Sequence, residues 1–283
     1  MTETVLVLGA TGKTGRRLVP RLIAAGAMVR SASRRPGEGR TLFDWDRPDT
    51  HDASLTGADA VYLIGPELVE DPSAVVGPFL ERARRAGVRK LVALSSMGVE
   101  FPREPSGSGR RTVEQLVMAS GLAWTLLRPT GFAQNFSEGF LLPGILQAGA
   151  VATATGDGSV AFVDADDIAA VAAAVLTEPG HAEAIYAITG PEALSFAQAT
   201  AIIGGAAGRP IAHRRISSDE LTHLLLGFGL PPAYAAMVVG DQEAIRDGEG
   251  ARVTDVVARV TGRPATPFAE YAARAANAWV RPQ

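Results

Sequence analysis

The sequence predicts an α/β protein with a doubly wound parallel sheet and a smaller, mainly helical C-terminal lobe. Apolar runs alternate with helical apolar spacing over the first two-thirds of the chain, as in strands joined by crossover helices. The runs are continuously apolar, which is typical of strands covered on both faces. The alternation loosens after Pro129, so we divide the chain into residues 1–130 and 131–283.

The first region contains five short apolar runs that are expected to form neighbouring strands. They span residues 5–8, 28–32, 60–64, 91–94 and 124–127. The spacing of apolar residues between them predicts helices over 13–25, 73–85 and 110–119. Right-handed crossovers between these strands then make a doubly wound sheet the simplest arrangement.

The second region is expected to extend this sheet and then to become helical. An apolar run over 160–163, an alanine-rich helix and a short predicted strand near 184–188 lie within residues 150–190. The helix follows Asp164, Asp166 and Asp167, which we interpret as its cap and first-turn acids, and no metal site is expected. From Ser195 onward the pattern is mainly helical.

Composition excludes several classes of function. The 283 residues include 47% hydrophobic and 20% charged residues, with a net charge of −3. This balance gives no basic face for nucleic acid, and no run approaches the roughly 20 apolar residues of a membrane helix. The absence of cysteine excludes disulfides and a cysteine nucleophile. We expect a cytoplasmic protein that acts on a small molecule, with its oligomeric state left open.

A glycine loop, Gly9-Ala10-Thr11-Gly12-Lys13-Thr14-Gly15, follows the first predicted strand. A pyrophosphate needs close backbone approach, a tight turn and a helix N-terminus. The three glycines stand at such a junction, although their spacing differs from the common Gly-x-Gly-x-x-Gly. We therefore predict a Rossmann-type dinucleotide-binding core over residues 1–130, rather than a glycine-rich connection without a ligand.

The end of the second predicted strand distinguishes NAD from NADP. NAD enzymes place a carboxylate there, and NADP enzymes place arginine near the 2′-phosphate. This chain has Ser33, Arg34 and Arg35 at that point. Arg34 offers a planar cation that suits a phosphate. NADP is therefore the predicted cofactor, and Arg35 can equally be part of a solvated basic turn.

Segments 9–15, 87–96 and 120–130 (SGLAWTLLRPT) resemble the NmrA-like atypical short-chain dehydrogenase/reductases. Segments 43–45, 132–138 and 189–194 most resemble the branch that includes the fungal ergot-alkaloid festuclavine dehydrogenases. The resemblance implies that NADP lies along the glycine loop, at Gly9, Thr11, Gly12, Thr14 and Gly15. It further implies that Arg34 contacts the 2′-phosphate and that Asp44 and Trp45 lie beside the adenine. Ile64 and Gly65 would then lie near the ribose, and Ser95 and Thr130 towards the nicotinamide. From the residues alone, Asp44 and Trp45 can also be a turn and a core aromatic.

The Tyr-x-x-x-Lys acid pair of typical short-chain dehydrogenases is missing. The tyrosines are Tyr62, Tyr186, Tyr234 and Tyr271, and none has lysine four places on. Counting back from residue 120 places Ser106 and Arg110 in the tyrosine and lysine register. Arginine cannot serve as an acid near neutral pH, so ketone reduction is disfavoured. Hydride addition to an iminium needs no proton, and a quinone can take its proton from water.

The substrate side is expected just after the last predicted strand. Phe132, Phe136 and Phe140 recur every four residues and predict one face of a short helix. We interpret Arg110, Phe132, Asn135 and Phe136 as candidates for a partly apolar pocket, without assigning a catalytic residue. We expect Glu114 to pair with Arg110 or Arg111 on a helix surface.

Two functions are compatible with this set of residues. The first is an NADPH-dependent reductase of a small cyclic iminium or a quinone-like substrate. The second is a non-enzymatic, NADP(H)-sensing regulator of the NmrA type. Both share the cofactor residues, so only the substrate side can distinguish them.

Overall fold

A seven-stranded parallel sheet forms the centre of the protein in the computed structural model, which describes residues 3–35, 37 and 39–280. The seven strands of this sheet are β1 (Thr4–Val7), β2 (Met28–Ser33), β3 (Arg40–Leu42), β4 (Ala60–Ile64), β5 (Lys90–Leu94), β6 (Ala123–Pro129) and β9 (Ala184–Ile188). Four shorter strands lie outside it: β7 (Ala150–Thr153), β8 (Ser159–Val160), β10 (Leu194–Ser195) and β11 (Ala212–Arg215). The sheet has the order β3-β2-β1-β4-β5-β6-β9. The chain reverses its direction of travel across the sheet between β1 and β4, and ligands bind at such a switch point.

Helices cover both faces of this sheet. They are α1 (Gly15–Ala24), α2 (Asp49–Leu55), α3 (Ser73–Arg85), α4 (Gly109–Met118), α5 (Leu142–Ala148), α6 (Ala165–Thr177), α7 (Phe196–Ala207), α8 (Ser218–Gly227), α9 (Pro232–Arg246), α10 (Val256–Thr261) and α11 (Phe268–Ala275). Alternate residues of β1 enter opposite layers: Val5 packs with α1 and α6, whereas Leu6 packs with α3 and α4. The predicted doubly wound α/β fold is confirmed.

The predicted strands and helices of the first region are all present, with ends within two residues of those expected. The short strand β3 and the helix α2 were not predicted. β3 has only three residues and contains Arg40 and Thr41, so it lacks the apolar run that marks the other strands. The seventh strand, β9, comes from within residues 150–190.

A second core lies under the C-terminal helices. It contains Phe136, Phe162, Phe196, Phe268 and Trp279. Two small strand pairs border it, β7 with β11 and β8 with β10. Neither pair was predicted. Among the described residues, no helix is both long enough and apolar enough to cross a membrane.

The helix predicted from Phe132, Phe136 and Phe140 is wrong. The segment forms only a short 3-10 helix over Ala133–Asn135. Phe136 then enters the second core, where it is fully buried and its carbonyl accepts a hydrogen bond of 2.7 Å from Trp279 Nε1. Phe140 is exposed. The three phenylalanines therefore lie in three different environments and not on one helix face, because tertiary packing outweighs their four-residue spacing.

Candidate functional site

The glycine loop makes the tight strand-to-helix turn that its residues predict. Gly9 has a φ of +63°, which a residue with a side chain rarely adopts. A Cβ atom on Gly15 would lie 2.2 Å from the Gly9 carbonyl oxygen. The Ala10 N–H donates to Ala32 O on β2 at 3.1 Å, and the Gly12 N–H donates to Gly9 O at 2.9 Å. These contacts start α1 directly at the carboxyl edge of the sheet.

The N-terminus of α1 presents positive charge. Its first turn contains no acidic residue, and Arg16, which follows Gly15, is paired with Glu138. Lys13 is half-buried, and desolvation lowers its pKa despite nearby Glu67. Thr14 is buried, and its hydroxyl accepts a hydrogen bond of 3.0 Å from the Tyr62 hydroxyl, so its side chain already has a partner within the core.

The residues expected at the adenosine end lie after β2 and β3. The Ser33 hydroxyl donates to Arg35 O at 2.7 Å. Arg34 is exposed and has no ion-pair partner in the described part of the chain. Trp45 Nε1 donates to Ile64 O at 3.1 Å, and the Trp45 ring packs edge-on to Phe43 and Phe79. The Trp45 ring thus belongs to an aromatic cluster at the edge of the core.

Asp44 is likewise held by the polypeptide. Its carbonyl oxygen accepts from His51 Nε2 at 2.9 Å, and its carboxylate accepts from the Asp46 N–H at 3.2 Å. These bonds form the local turn that was the alternative interpretation of Asp44 in the sequence. Contact of Asp44 and Trp45 with adenine stays a prediction.

A buried polar network lies at the ends of β5 and β6. Glu114 is 2% exposed and accepts from Ser95 Oγ at 2.5 Å. It also accepts from Arg128 Nε at 2.8 Å, and Arg128 bonds Glu100 as well. The expected surface pairing of Glu114 with Arg110 or Arg111 is therefore wrong. Thr130 is buried too, and its hydroxyl donates to Ala161 O.

Arg110 is fixed between two carboxylates. Its Nε donates to Glu104 at 2.8 Å, and its NH1 donates to Asp241 at 2.9 Å. Burial by itself would lower the pKa of Arg110, but these bonds outweigh it and the pKa is raised. Ser106 is exposed in the preceding loop. Neither residue in the Tyr and Lys register can therefore act as an acid.

A cavity of about 470 Å³ lies beside the ends of β4 and β5. Its lining includes the predicted Ile64, Gly65, Ser95, Arg110 and Asn135. Apolar wall residues include Leu68, Val113, Phe140, Val160, Phe162, Met237 and Val238. Phe132 lines an adjoining cavity of about 230 Å³ that shares Asn135.

Phe136 is corrected from a pocket residue to a core residue. It is fully buried in the second core and packs against Phe162, Phe196 and Phe268. The short turn after Phe132 directs the chain back under the C-terminal helices, where these three aromatic rings surround Phe136.

The helix α9 adds side chains that the sequence interpretation missed. Tyr234 and Asp241 both line the 470 Å³ cavity, together with residues of β5 and α4. Burial raises the pKa of Asp241, and burial together with Glu67 raises the pKa of Tyr234. No local motif marks these residues, because only the packing of α9 brings them to the strand ends.

The aspartates at the start of α6 act as structural groups. Asp164 caps the helix by accepting from the Asp166 N–H at 2.8 Å. Asp166 pairs with Arg17, and Asp167 pairs with Arg263. These ion pairs border a polar cavity of about 600 Å³ that no strand-end residue lines. Among the described residues, no cluster of side chains could hold a metal ion.

The strand–glycine loop–helix unit at the switch point, together with the cavity beside the ends of β4 and β5, defines a Rossmann-type dinucleotide-binding protein. Residues 9–179 match the NAD(P)H-binding family. The chain is 38% identical to the uncharacterized oxidoreductase YesF of Bacillus subtilis, over 97% of this chain and 96% of that protein. It is 36% identical to a festuclavine dehydrogenase of Aspergillus fumigatus, over 98% and 99% respectively.

The fold also resembles that of an NADPH-dependent quinone oxidoreductase of Escherichia coli in complex with NADPH. The TM-score is 0.81 at 23% identity, covering 95% of this chain and 99% of the other. The chain belongs to the NmrA-like, atypical short-chain dehydrogenase/reductase family, and it is an NAD(P)H-dependent oxidoreductase.

Proposed function

We propose that the protein is an NADPH-preferring reductase that transfers hydride to a small cyclic iminium or a quinone-like acceptor. The observation that carries this proposal is that the two residues in the positions of the missing Tyr-x-x-x-Lys pair cannot act as acids. Ser106 is exposed in a loop, and Arg110 is tied to Glu104 and Asp241. Neither can protonate an alkoxide, so acceptors that need no strong acid suit the site best.

The residues at the glycine loop fit a reduced dinucleotide, which supplies the hydride when bound. Gly9 and Gly15 leave backbone without side chains at the positive end of α1, and no carboxylate of the first turn would repel a phosphate. Arg34 is exposed and, within the described residues, not committed to an ion pair. This supports a contact to a 2′-phosphate and hence NADPH over NADH.

The charges around the cavity support a cationic acceptor. Glu114 and Asp241 are matched by Arg128 and Arg110, whereas Glu67 has no ion-pair partner among the described residues. Glu67 is exposed and interacts with nearby Lys13, so it adds only a weak negative charge beside apolar side chains, an arrangement that suits a cyclic, aromatic or alkaloid-like iminium. The names of the Aspergillus and Escherichia relatives, a festuclavine dehydrogenase and a quinone oxidoreductase, are consistent with these two acceptor classes.

Steady-state kinetics with NADPH and NADH test this proposal. The acceptors are a cyclic iminium, a quinone and, as the negative case, a simple ketone. We expect turnover of the first two and a kcat/KM for NADPH at least about tenfold above that for NADH, since hydrogen bonds to charged groups contribute about 1.5–3 kcal/mol. Faster reduction of the ketone would contradict the assignment of the acceptor.

The variant Arg34→Ser tests the cofactor preference separately, with Arg35→Ser as its matched control. We expect Arg34→Ser to raise the KM for NADPH about 10- to 100-fold while the KM for NADH stays within about twofold. Equal losses for both cofactors would indicate damage to the fold instead. Tight NADPH binding by the wild type without turnover of any of these acceptors would contradict the proposed acceptor classes.

A further inference from the structure

One phenol lies in the wall of the 470 Å³ cavity, that of Tyr234 on α9. The other three tyrosines of the chain are committed elsewhere. The hydroxyl of Tyr62 bonds Thr14 at 3.0 Å, that of Tyr186 bonds His181 at 2.8 Å, and that of Tyr271 bonds Ser137 at 2.7 Å. The Tyr234 hydroxyl has no hydrogen-bond partner among residues 3–35, 37 and 39–280.

The surroundings of Tyr234 keep its phenol protonated. Burial is the main cause that raises its pKa, and the carboxylates of Glu67 and Asp241 act in the same direction. The cation of Arg110 acts in the opposite direction but is itself bound to Asp241. The phenol is therefore a hydrogen-bond donor at neutral pH, and neither of the chain's two lysines, Lys13 and Lys90, lines this cavity to make it a stronger acid.

We propose that Tyr234 donates the hydrogen bond that stabilises the oxygen of a neutral, conjugated carbonyl acceptor, such as a quinone or an enone. The inference rests on the proposed reductase function and adds a residue that selects between its acceptor classes. Tyr234 and Ser95 both line this cavity, so an acceptor bound at the strand ends shares the cavity with the phenol. This position is unrelated in sequence to the missing Tyr-x-x-x-Lys pair.

The step balances without a strong acid. The acceptor carbon gains the hydride, and the π electron pair moves through the conjugated system to the carbonyl oxygen. The Tyr234 O–H bond stays intact and donates to this oxyanion as its charge develops. Solvent water then protonates the oxygen, which gives the enol. For a quinone, this enol loses the proton from the carbon that received the hydride, and its second oxygen gains a proton from solvent, which gives the quinol. A simple ketone gains less, because its alkoxide is not delocalised and needs a full proton.

An iminium acceptor does not need a hydrogen-bond donor. Hydride addition cancels its positive charge, so no oxyanion forms and a hydrogen-bond donor has nothing to stabilise. Removal of the phenol hydroxyl is therefore expected to slow reduction of a carbonyl acceptor but not of an iminium acceptor. A purely structural role of Tyr234 would affect both classes alike.

The experiment compares Tyr234→Phe with the wild-type enzyme and NADPH, using a quinone and a cyclic iminium. The control is Tyr186→Phe, whose hydroxyl bonds His181 outside this cavity. We expect Tyr234→Phe to lower kcat for the quinone about 10²-fold with little change in KM, as for loss of one oxyanion donor. Its kcat for the iminium stays within about twofold, and the control changes neither.

Equal losses on both acceptors, or unchanged rates on both, would overturn the role of Tyr234. The direct binding of NADPH, measured by fluorescence, is expected to be the same in wild type and Tyr234→Phe. If wild type turns over neither acceptor, the reductase proposal itself fails, and this inference fails with it. The two failures are therefore distinguishable.

Discussion

Replacing Gly15 by alanine tests whether the glycine loop works through its backbone geometry. The added Cβ would lie 2.2 Å from Gly9 O and 2.8 Å from Ala10 Cα, whereas ordinary contact begins at 3.4 Å. Both neighbours are backbone atoms, so no side chain can rotate away. The loop or the start of α1 has to shift by roughly 1 Å, which overpacks a close-packed interior.

The expected cost of Gly15→Ala is about 1–3 kcal/mol of unfolding free energy, the range for overpacked interior sites. The shift also moves the N–H groups that the phosphates would contact, so we expect NADPH affinity to fall at least about tenfold. Chemical denaturation and fluorescence titration with NADPH measure the two effects.

The matched control is Gly205→Ala in α7. Gly205 is exposed, its helix is regular, and no atom lies within 4 Å of an added Cβ. Alanine is about 0.5–1 kcal/mol better than glycine inside a helix, so this variant is expected to be more stable with unchanged affinity. Unchanged stability and NADPH affinity in Gly15→Ala would refute the argument from the loop geometry.

Two further predictions concern buried polar groups. Glu114→Ala leaves Arg128 without its main partner, so we expect a loss of about 3–5 kcal/mol in urea unfolding, against less than about 0.5 kcal/mol for the exposed Glu81→Ala. An equal effect of both would contradict the burial argument. Burial lowers the pKa of His51 below its usual 6.5, so the unfolded chain protonates first and stability falls as the pH drops through that value. His51→Gln is expected to reduce this slope, and an unchanged slope would exclude His51 as its source.

The sheet was predictable because each central strand is a short apolar run bounded by glycines or charges. Residues 60–64, for example, are all buried or nearly so as β4. β3 escaped prediction because it pairs with β2 along one edge only and carries polar residues. The local sequence therefore does not indicate that residues 40–42 form a strand.

The cofactor loop was predictable for a related reason: strand, glycines and helix are contiguous in the chain. The substrate cavity depends instead on contacts between distant segments. Tyr234 and Asp241 reach it only because α9 packs against the strand ends. Glu114 looked like a surface carboxylate because its partner Arg128 lies on β6, 14 residues further along the chain.

The central claim is direct hydride transfer from NADPH to carbon of an iminium or quinone-like acceptor at the 470 Å³ cavity beside the ends of β4 and β5. The most direct measurement is a single turnover with NADPH deuterated at C4, prepared separately with the label on each face, followed by mass spectrometry of the reduced iminium. We predict that one of the two labelled cofactors transfers one deuterium to the former iminium carbon. A product without deuterium from either cofactor would contradict the account.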